Sequence, residues 1–212
     1  MNSDSPTRPY RQSARAEAAQ ARGERILDAF ATRIRDSWFD EIRLEDVAQD
    51  SGVTVQTVIR RFGGKEGLIA AMQERLAIEV TLRREVRPGD VTRAVNSIVE
   101  DYEEVGDLIL RLLAQEDRYP AVRAMTDRGR AQHRAWITQA FVPWLDGLDA
   151  EARQRRIDAL VVAGDLYVWK LVRRDMQRSV ADYRQLMMRM FADAIGADPA
   201  EIFNHEPIGV NR

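Results

Sequence analysis

The chain has 212 residues, and its 32 lysines and arginines nearly balance 34 aspartates and glutamates, leaving a formal net charge of −2. Hydrophobic residues make up 45% and charged residues 31%, a balance typical of a soluble globular protein rather than a disordered one. The absence of cysteine excludes disulfides, thiolate metal sites and cysteine nucleophiles, and His133 and His205 are too far apart in sequence to form a metal cluster alone.

The N-terminal stretch is rich in basic residues. Its five arginines, opposed by two glutamates, are Arg8, Arg11, Arg15, Arg22 and Arg25. A basic arm of this kind can contact DNA phosphates, and the alternative is a solvated tail without a partner. We predict a flexible basic arm over residues 1–19.

No membrane association is expected from the sequence. The N-terminus lacks the apolar core of a signal peptide. The longest apolar stretch, residues 159–172, contains Asp165 and Lys170 and is too short and too polar to span a bilayer. We therefore expect a cytoplasmic protein.

Every periodic segment predicts a helix, because apolar residues recur at helical spacing and no alternating β-type run appears between turn signals. The predicted helices cover, in chain order, residues 22–38, 44–51, 55–61, 65–84, 90–104, 105–116, 119–145, 150–175 and 179–195. Several helix ends are predicted by residues that favour a left-handed backbone, cap a helix with a side chain, or interrupt a helix as proline does. The residues concerned are Gly52, Thr54, Asp90, Pro143, and Ser179 with Asp182.

The second and third predicted helices fit a helix-turn-helix, in which a small shared core positions the second helix for a DNA major groove. Ala48 is small where the helices cross, and Gly52 can make the turn. The apolar residues expected at the junction are Val47, Val53 and Val58. The outward surface then presents Val55, Gln56, Thr57, Ile59, Arg60 and Arg61. The alternative is an ordinary helical hairpin within a core.

The outward side chains have the chemistry of a DNA contact. Gln56 and Arg61 can bond base edges, arginine most effectively to guanine. Thr54 and the exposed amides at the start of the same helix can hold a phosphate, as can Lys65 and the arm arginines.

Residues 24–68 also carry a family pattern without gaps. The positions that carry it are Ile26-Leu27-Asp28-Ala29, Phe39, Asp46-Val47-Ala48, Gly52-Val53-Thr54, Thr57, Phe62-Gly63 and Lys65-Glu66. This segment resembles the DNA-binding head of the tetracycline-repressor (TetR) family. The resemblance implies an all-helical, two-domain repressor that dimerises through its last two helices and has an effector pocket in the body. It also implies DNA contacts at Thr54, Val55, Gln56, Thr57, Ile59, Arg60, Arg61 and Lys65.

Three residues depart from the family pattern. Ile59 stands where tyrosine is usual, so that the phosphate bond of the tyrosine is lost. Arg43 replaces a common capping threonine, which weakens the helix cap but adds a cation that we include among the DNA-binding residues. Trp38 stands in place of the usual glycine before Phe39, and altered packing between head and body is expected.

The fold class that follows is all-α, with an N-terminal three-helix DNA-binding head that contains the helix-turn-helix and a larger helical body. The head is expected over residues 20–64, the effector-binding and dimerisation body over 65–198, and a C-terminal tail over 199–212.

The body carries amphipathic aromatics that could line an effector pocket, although core filling is the alternative for each of them. The candidate ligand-binding residues are Tyr102, Leu112, Gln115, Met125, Trp136, Phe141, Trp144, Asp165, Tyr167 and Trp169. His133 is expected in the core or on a helix surface rather than at a ligand. The last helix has a wide apolar stripe, interpreted as a dimer contact with intrachain core as the alternative. The stripe consists of Tyr183, Leu186, Met187, Met190, Phe191 and Ala194.

The sequence therefore predicts a transcription repressor that binds a palindromic operator in double-stranded DNA as a homodimer and is released by a small-molecule effector of unknown identity. Two alternatives stay open: a helical small-molecule-binding protein or enzyme, and a DNA-binding regulator controlled by a protein partner. No phosphate-loop or H-E-x-x-H motif occurs, so no enzyme activity, cofactor or metal is expected.

Overall fold

A computed structural model describes the backbone from Arg8 to Asp198 and the side chains from Ser13 onward. All regular secondary structure in this range is helical, which confirms the predicted all-α class. The α-helices are α1 (Arg8–Asp36), α2 (Leu44–Ser51), α3 (Val55–Phe62), α4 (Lys65–Arg83), α5 (Val91–Leu113), α6 (Pro120–Ala140), α7 (Ala150–Ala163), α8 (Leu166–Trp169) and α9 (Val180–Ile195). A 3₁₀ turn (Val142–Trp144) follows α6, and a π-helical segment (Lys170–Asp175) follows α8.

The chain forms two compact units, one extending to Arg75 and one starting at Leu76. The division falls inside α4. The first unit contains α1, α2, α3 and most of α4, and the second contains the remaining helices. The functional division expected at residue 64 stays a prediction, because compactness by itself does not assign a function.

The core of the first unit is built on α1. Ile26, Phe30 and Ile34 recur at helical spacing on one face of α1 and are fully buried. Val47 of α2 and Val58 of α3 are also fully buried, as is Leu68 of α4. This small core holds α2 and α3 against the longer helix.

The first helix begins earlier than the sequence pattern indicates. We expected it from residue 22, whereas α1 starts at Arg8, and the described part of the basic arm is therefore helical. Residues 14–21 are mostly alanine, arginine, glutamate and glutamine, which have high helix propensity but no large apolar stripe. Apolar periodicity cannot detect a helix of that composition. Residues 1–7 lie outside the described part of the chain.

In the second unit, α6 and α9 pack against α5, and α7 packs against α6 and α9. The two helices predicted over 90–116 are one continuous helix, because no residue near Glu104 interrupts the hydrogen bonding. The predicted cap of this helix is confirmed, since the Asp90 carboxylate accepts a hydrogen bond from the Arg93 amide at 2.8 Å. The fully buried Trp169 packs against Gly106, where a β-carbon would lie 2.6 Å from carbon atoms of the indole ring.

The helix predicted over 150–175 is interrupted. α7 ends at Ala163, and the Asp165 carboxylate then caps α8 by accepting a hydrogen bond from the Tyr167 amide at 2.7 Å. By contrast, the predicted capping box of the last helix is confirmed. The Asp182 amide donates to Ser179 Oγ at 3.0 Å, and the Ser179 amide donates to Asp182 Oδ2 at 3.2 Å. The predicted effect of Pro143 is also observed, since α6 ends at Ala140.

Candidate nucleic-acid interface

The turn between α2 and α3 is determined by two adjacent local signals. Gly52 adopts a φ of 66°, in the left-handed region that favours glycine, and its amide donates to the last carbonyls of α2. Thr54 then has extended backbone, and its side chain accepts a hydrogen bond from the Thr57 amide at 3.3 Å. α3 therefore starts immediately after the turn, as the sequence predicts.

One side of α3 is buried and the other is exposed. Val58 is fully buried, whereas Gln56, Ile59, Arg60 and Arg61 are exposed. The two remaining positions of the predicted outward surface, Val55 and Thr57, are half-buried. A short helix with its polar and cationic side exposed has the geometry needed to enter a major groove.

The start of α2 lacks the side-chain cap that many helices have. Arg43 occupies the N-cap position without a capping hydrogen bond, as its residue type predicts. Glu45 and Asp46 lie in the first turn, where negative charge interacts favourably with the helix dipole. Arg43 is exposed and lies 3.8 Å from the Glu45 carboxylate, an exposed ion pair that leaves the cation accessible.

α2 is held to α1 by an ion pair that sequence analysis did not identify. Arg33 Nε of α1 donates to Asp50 Oδ2 at 2.7 Å, and Arg33 Nη1 lies 3.5 Å from Asp46 Oδ2. The hydrogen bond to Asp50 raises the pKa of Arg33. Arg33 and Asp50 are separated by 17 residues in sequence, so local spacing gives no sign of the pair.

Lys65, a predicted phosphate contact, is engaged within its own unit. Its ammonium donates to the carbonyl of Phe39 at 2.6 Å and to that of Asp40 at 3.1 Å, and lies 4.9 Å from the Phe39 ring centroid. Burial lowers the pKa of Lys65, and the charge of Asp40 acts in the opposite direction. Two carbonyls use two of the three ammonium donors, so a phosphate contact through the third stays a prediction.

Arg61 lies against α1. An added β-carbon at Gly23 would be 2.3 Å from Arg61 Nε and 2.7 Å from Arg61 Cζ, which places the guanidinium directly over the glycine. The Arg61 guanidinium carbon is also 5.8 Å from the centroid of the Phe62 ring. The role of Arg61 at base edges stays a prediction.

The predicted pocket residues of the second unit have different environments. Tyr102, Leu112, Gln115, Met125, Phe141 and Trp169 are buried, Trp136, Trp144 and Asp165 are half-buried, and Tyr167 is exposed. Several polar tips are used inside the unit. Tyr102 donates to the Gly164 carbonyl at 3.0 Å, and Trp136 donates to the Arg84 carbonyl at 2.6 Å.

A buried charge cluster in the second unit was not predicted. Arg84 and Asp101 are 5% and 1% exposed, and Arg84 Nη2 lies 2.7 Å from Asp101 Oδ2. Arg84 Nη1 is 3.0 Å from His133 Nδ1, and the Arg84 guanidinium carbon is 5.2 Å from the centroid of the Tyr102 ring. Burial, together with the charge of Arg84, lowers the pKa of His133 to about 3. His133 is therefore a neutral partner of the arginine at physiological pH.

A second ion-paired group connects α5 to the segment after α8. Glu103 accepts hydrogen bonds from Trp169 Nε1 at 2.7 Å and from Arg173 Nε at 2.7 Å. The hydrogen bond from Arg173 is the main cause that lowers the pKa of Glu103. Asp107 pairs with Arg174 in the same way, at 2.9 Å and 3.0 Å.

The predicted dimer stripe on α9 divides into two sets. Tyr183, Met187 and Phe191 are completely buried within the second unit. Leu186, Met190 and Ala194 are half-buried. Large apolar side chains that are more than half exposed occur from the end of α7 to the residue after the π-helical segment, and sequence analysis did not assign them to an interface. They are Val162, Tyr167, Leu171 and Met176.

Between Arg8 and Asp198 there is no group of three or more histidines or carboxylates placed to hold a metal ion. None of the helices in the same range is long and apolar enough to cross a bilayer.

Comparison with known proteins gives one kind of match. No family model matches the chain, and no curated protein matches it. Among solved structures, one similar chain is a TetR transcriptional regulator from Rhodococcus sp. RHA1, with a TM-score of 0.49 and 18% sequence identity. The alignment covers 82% of this chain and 96% of that one. Over most of its length, this chain is similar in structure to a TetR transcriptional regulator.

Proposed function

We propose that this chain is a DNA-binding transcription regulator whose recognition helix is α3. The observation that carries the proposal is the exposure of Gln56, Arg60 and Arg61 on a helix that Val58 and the Thr54 cap hold in place. Amide and guanidinium groups are the side chains best suited to bond base edges in the major groove. A helical hairpin with only a core function would not need this exposed set.

The basic arm supports the same proposal. Arg15, Arg22 and Arg25 are exposed on α1, and Arg43 is exposed before α2. Cations on a helical frame can neutralise DNA phosphates, which adds affinity without sequence preference. We assign these residues to contacts with the DNA phosphates, together with Thr54 and the backbone amides at the start of α3.

We further propose that the regulator acts as a homodimer on a palindromic operator. The half-buried Leu186, Met190 and Ala194 of α9, with the exposed Tyr167 and Leu171, support an interface in the second unit. Tyr183, Met187 and Phe191 would then support this surface from the interior. A two-fold dimer would place two recognition helices in successive major grooves, about 34–36 Å apart.

The dimer can be tested by replacing surface residues while leaving the interior unchanged. Leu171→Glu and Tyr167→Glu should each weaken self-association in sedimentation by at least about tenfold, because each buries a charge against an apolar partner surface. Ile78→Glu, at another exposed apolar position of the second unit, is the matched control. Dimers that persist in both variants would place the interface elsewhere.

Release by a small-molecule effector, and hence action as a repressor, completes the proposal. Support comes from the half-buried Trp136 and Trp144, which combine aromatic surface with access from solvent. An effector needs only different affinities for two conformations of the protein. A compound that quenches tryptophan emission and releases DNA over the same concentration range would support this step. Unchanged DNA binding at saturation with such a compound would contradict it.

The central experiment is selection of bound duplexes from a random-sequence library, followed by footprinting. We expect enrichment of a palindrome whose half-sites are about one helical turn apart. The control is a protein with Gln56, Arg60 and Arg61 replaced by alanine, which should enrich no sequence. If the unmodified protein enriches none, the proposed function is wrong.

A further inference from the structure

The contact between α1 and α3 depends on a glycine, because residue 23 has no β-carbon at the point where the two helices meet. Gly23 is buried although it lies in the exposed N-terminal part of α1, because the Arg61 guanidinium covers it. A β-carbon at residue 23 would be 2.3 Å, 2.6 Å and 2.7 Å from Arg61 Nε, Nη2 and Cζ. Separations of this size are far below van der Waals contact. Any other residue at position 23 would therefore displace the guanidinium from this space, which we call the Gly23 notch.

The position of Arg61 around α3 explains why it reaches α1. Successive helical residues are rotated by about 100°, so Gln56 and Arg60 lie on the side of α3 about 160° from the buried Val58. Arg61 is only about 60° from Val58. Its side chain leaves α3 at the edge of the packed side, next to α1, whereas Gln56 and Arg60 point away from the core.

The guanidinium in the Gly23 notch has no charged partner within the part of the chain that the structure describes. Its nearest aromatic neighbour is the Phe62 ring, at 5.8 Å from the guanidinium carbon. Arg33, by contrast, is paired with Asp50 and Asp46. The N–H groups of the Arg61 guanidinium are therefore available to an acceptor outside the chain, such as a DNA phosphate. The Gly23 notch holds them on the flank of α3, not on the outermost side that carries Gln56 and Arg60.

We infer that Gly23 is a positioning residue that holds Arg61 on the flank of α3 for a DNA phosphate, and that base edges are bonded by Gln56 and Arg60. The inference rests on the proposed function, because it requires α3 to bind DNA. The inference differs from the sequence-based prediction, in which Arg61 bonds a base edge rather than a phosphate. A phosphate contact from this flank would add affinity equally on all sequences.

The test is a double-mutant cycle on the duplex that the unmodified protein selects from the random library, with a scrambled duplex beside it. Fluorescence anisotropy gives Kd for the unmodified protein, Gly23→Ala, Arg61→Ala and the double variant over a salt series. Arg61→Ala should weaken binding to both duplexes by the same factor and reduce the salt slope by about one. Gly23→Ala should weaken binding by at most that factor.

In the Arg61→Ala background, Gly23→Ala should change Kd by less than about twofold, because the side chain that it displaces is gone. Gly129→Ala is the matched control, since Gly129 lies within α6 and has open space where a β-carbon would be. Both glycine substitutions should leave thermal unfolding unchanged or raise its midpoint, because alanine favours helix.

Two outcomes would overturn the inference while leaving the proposed function intact. One is an effect of Gly23→Ala that is the same with and without Arg61. The other is a change of base preference in Arg61→Ala at one position of each half-site. If the unmodified protein selects no duplex, the proposed function itself fails, and the two failures are therefore distinguishable.

Discussion

The two compact units place their charges in different ways. In the first unit, the described cations near α3 are at or close to the surface, and the core is formed by apolar residues such as Ile26, Phe30 and Val58. The second unit buries a charged pair, Arg84 with Asp101, among aromatic rings. Under the proposed function, charge serves DNA binding in the first unit, whereas in the second unit the buried pair serves internal structure. Removal of a charge should therefore change DNA binding when the residue is in the first unit and the free energy of unfolding when it is in the buried pair of the second.

Removal of the buried carboxylate should have the largest effect on folding. Asp101→Asn leaves the Arg84 guanidinium buried without its counter-charge, and such losses typically cost about 3–5 kcal/mol. Chemical denaturation should show this loss as a lower midpoint. Asp158→Asn is the matched control, because Asp158 pairs with Arg134 in solvent at 3.0 Å. Equal effects of the two substitutions would remove the distinction between buried and exposed pairs.

The second prediction concerns pH. His133 has a pKa of about 3 in the folded chain, below the ordinary value of about 6.5. The unfolded chain therefore binds the extra proton between these values, and stability should fall as pH decreases through that window, by at most about 1.4 kcal/mol per pH unit. His133→Gln should flatten the dependence between pH 6.5 and 4.5, because the amide does not titrate. Identical slopes for both proteins would show that His133 is not the responsible group.

The third prediction concerns the first unit. Arg60→Ala should weaken binding to the selected duplex by about 1–3 kcal/mol and reduce preference at one base pair of each half-site. Its unfolding midpoint should stay unchanged, since the exposed side chain contributes to no buried pair. Arg87→Ala, an exposed position between α4 and α5, is the control and should leave both measurements unchanged. A loss of stability in Arg60→Ala would contradict the assignment of this charge to binding.

The smallest effect is expected at a helix cap. Thr54→Ala removes the oxygen that accepts from the Thr57 amide, and such changes cost about 1 kcal/mol. Thr54→Ser keeps the hydroxyl and should retain most of the stability. If alanine and serine destabilise the chain equally, the threonine methyl matters more than the cap.

The sequence predicted best those features that depend on neighbouring residues. The end of α2 agrees with the prediction, because Gly52 ends this helix in a left-handed conformation and Thr54 caps the next helix two residues later. The last helix ends at Ile195 as expected, between the Ser179 capping box and a left-handed Gly196. Local backbone chemistry is sufficient to determine such ends.

Features that depend on distant residues were not predictable in the same way. Arg84 and Asp101 belong to different helices, and neither is unusual in its own sequence context. Asp165 was interpreted as a polar pocket residue, whereas its carboxylate caps α8. The contact of Arg61 with Gly23 gives no signal, because a glycine contributes nothing to apolar periodicity. The candidate site was therefore predicted as a set of residues on α3, but not in its side-chain orientations.

The packing of Trp169 on Gly106 means that residues 106 and 169 can change in evolution only together. A β-carbon at residue 106 would lie 2.6 Å from the indole, so Gly106→Ala should be disfavoured while the tryptophan is present. Replacement of Trp169 by a smaller residue first would leave an unfilled volume and remove the hydrogen bond that the indole donates to Glu103. Each single step is therefore disfavoured, and only the combined change restores packing. Homologous chains should accordingly show a larger residue at position 106 only together with a smaller one at position 169.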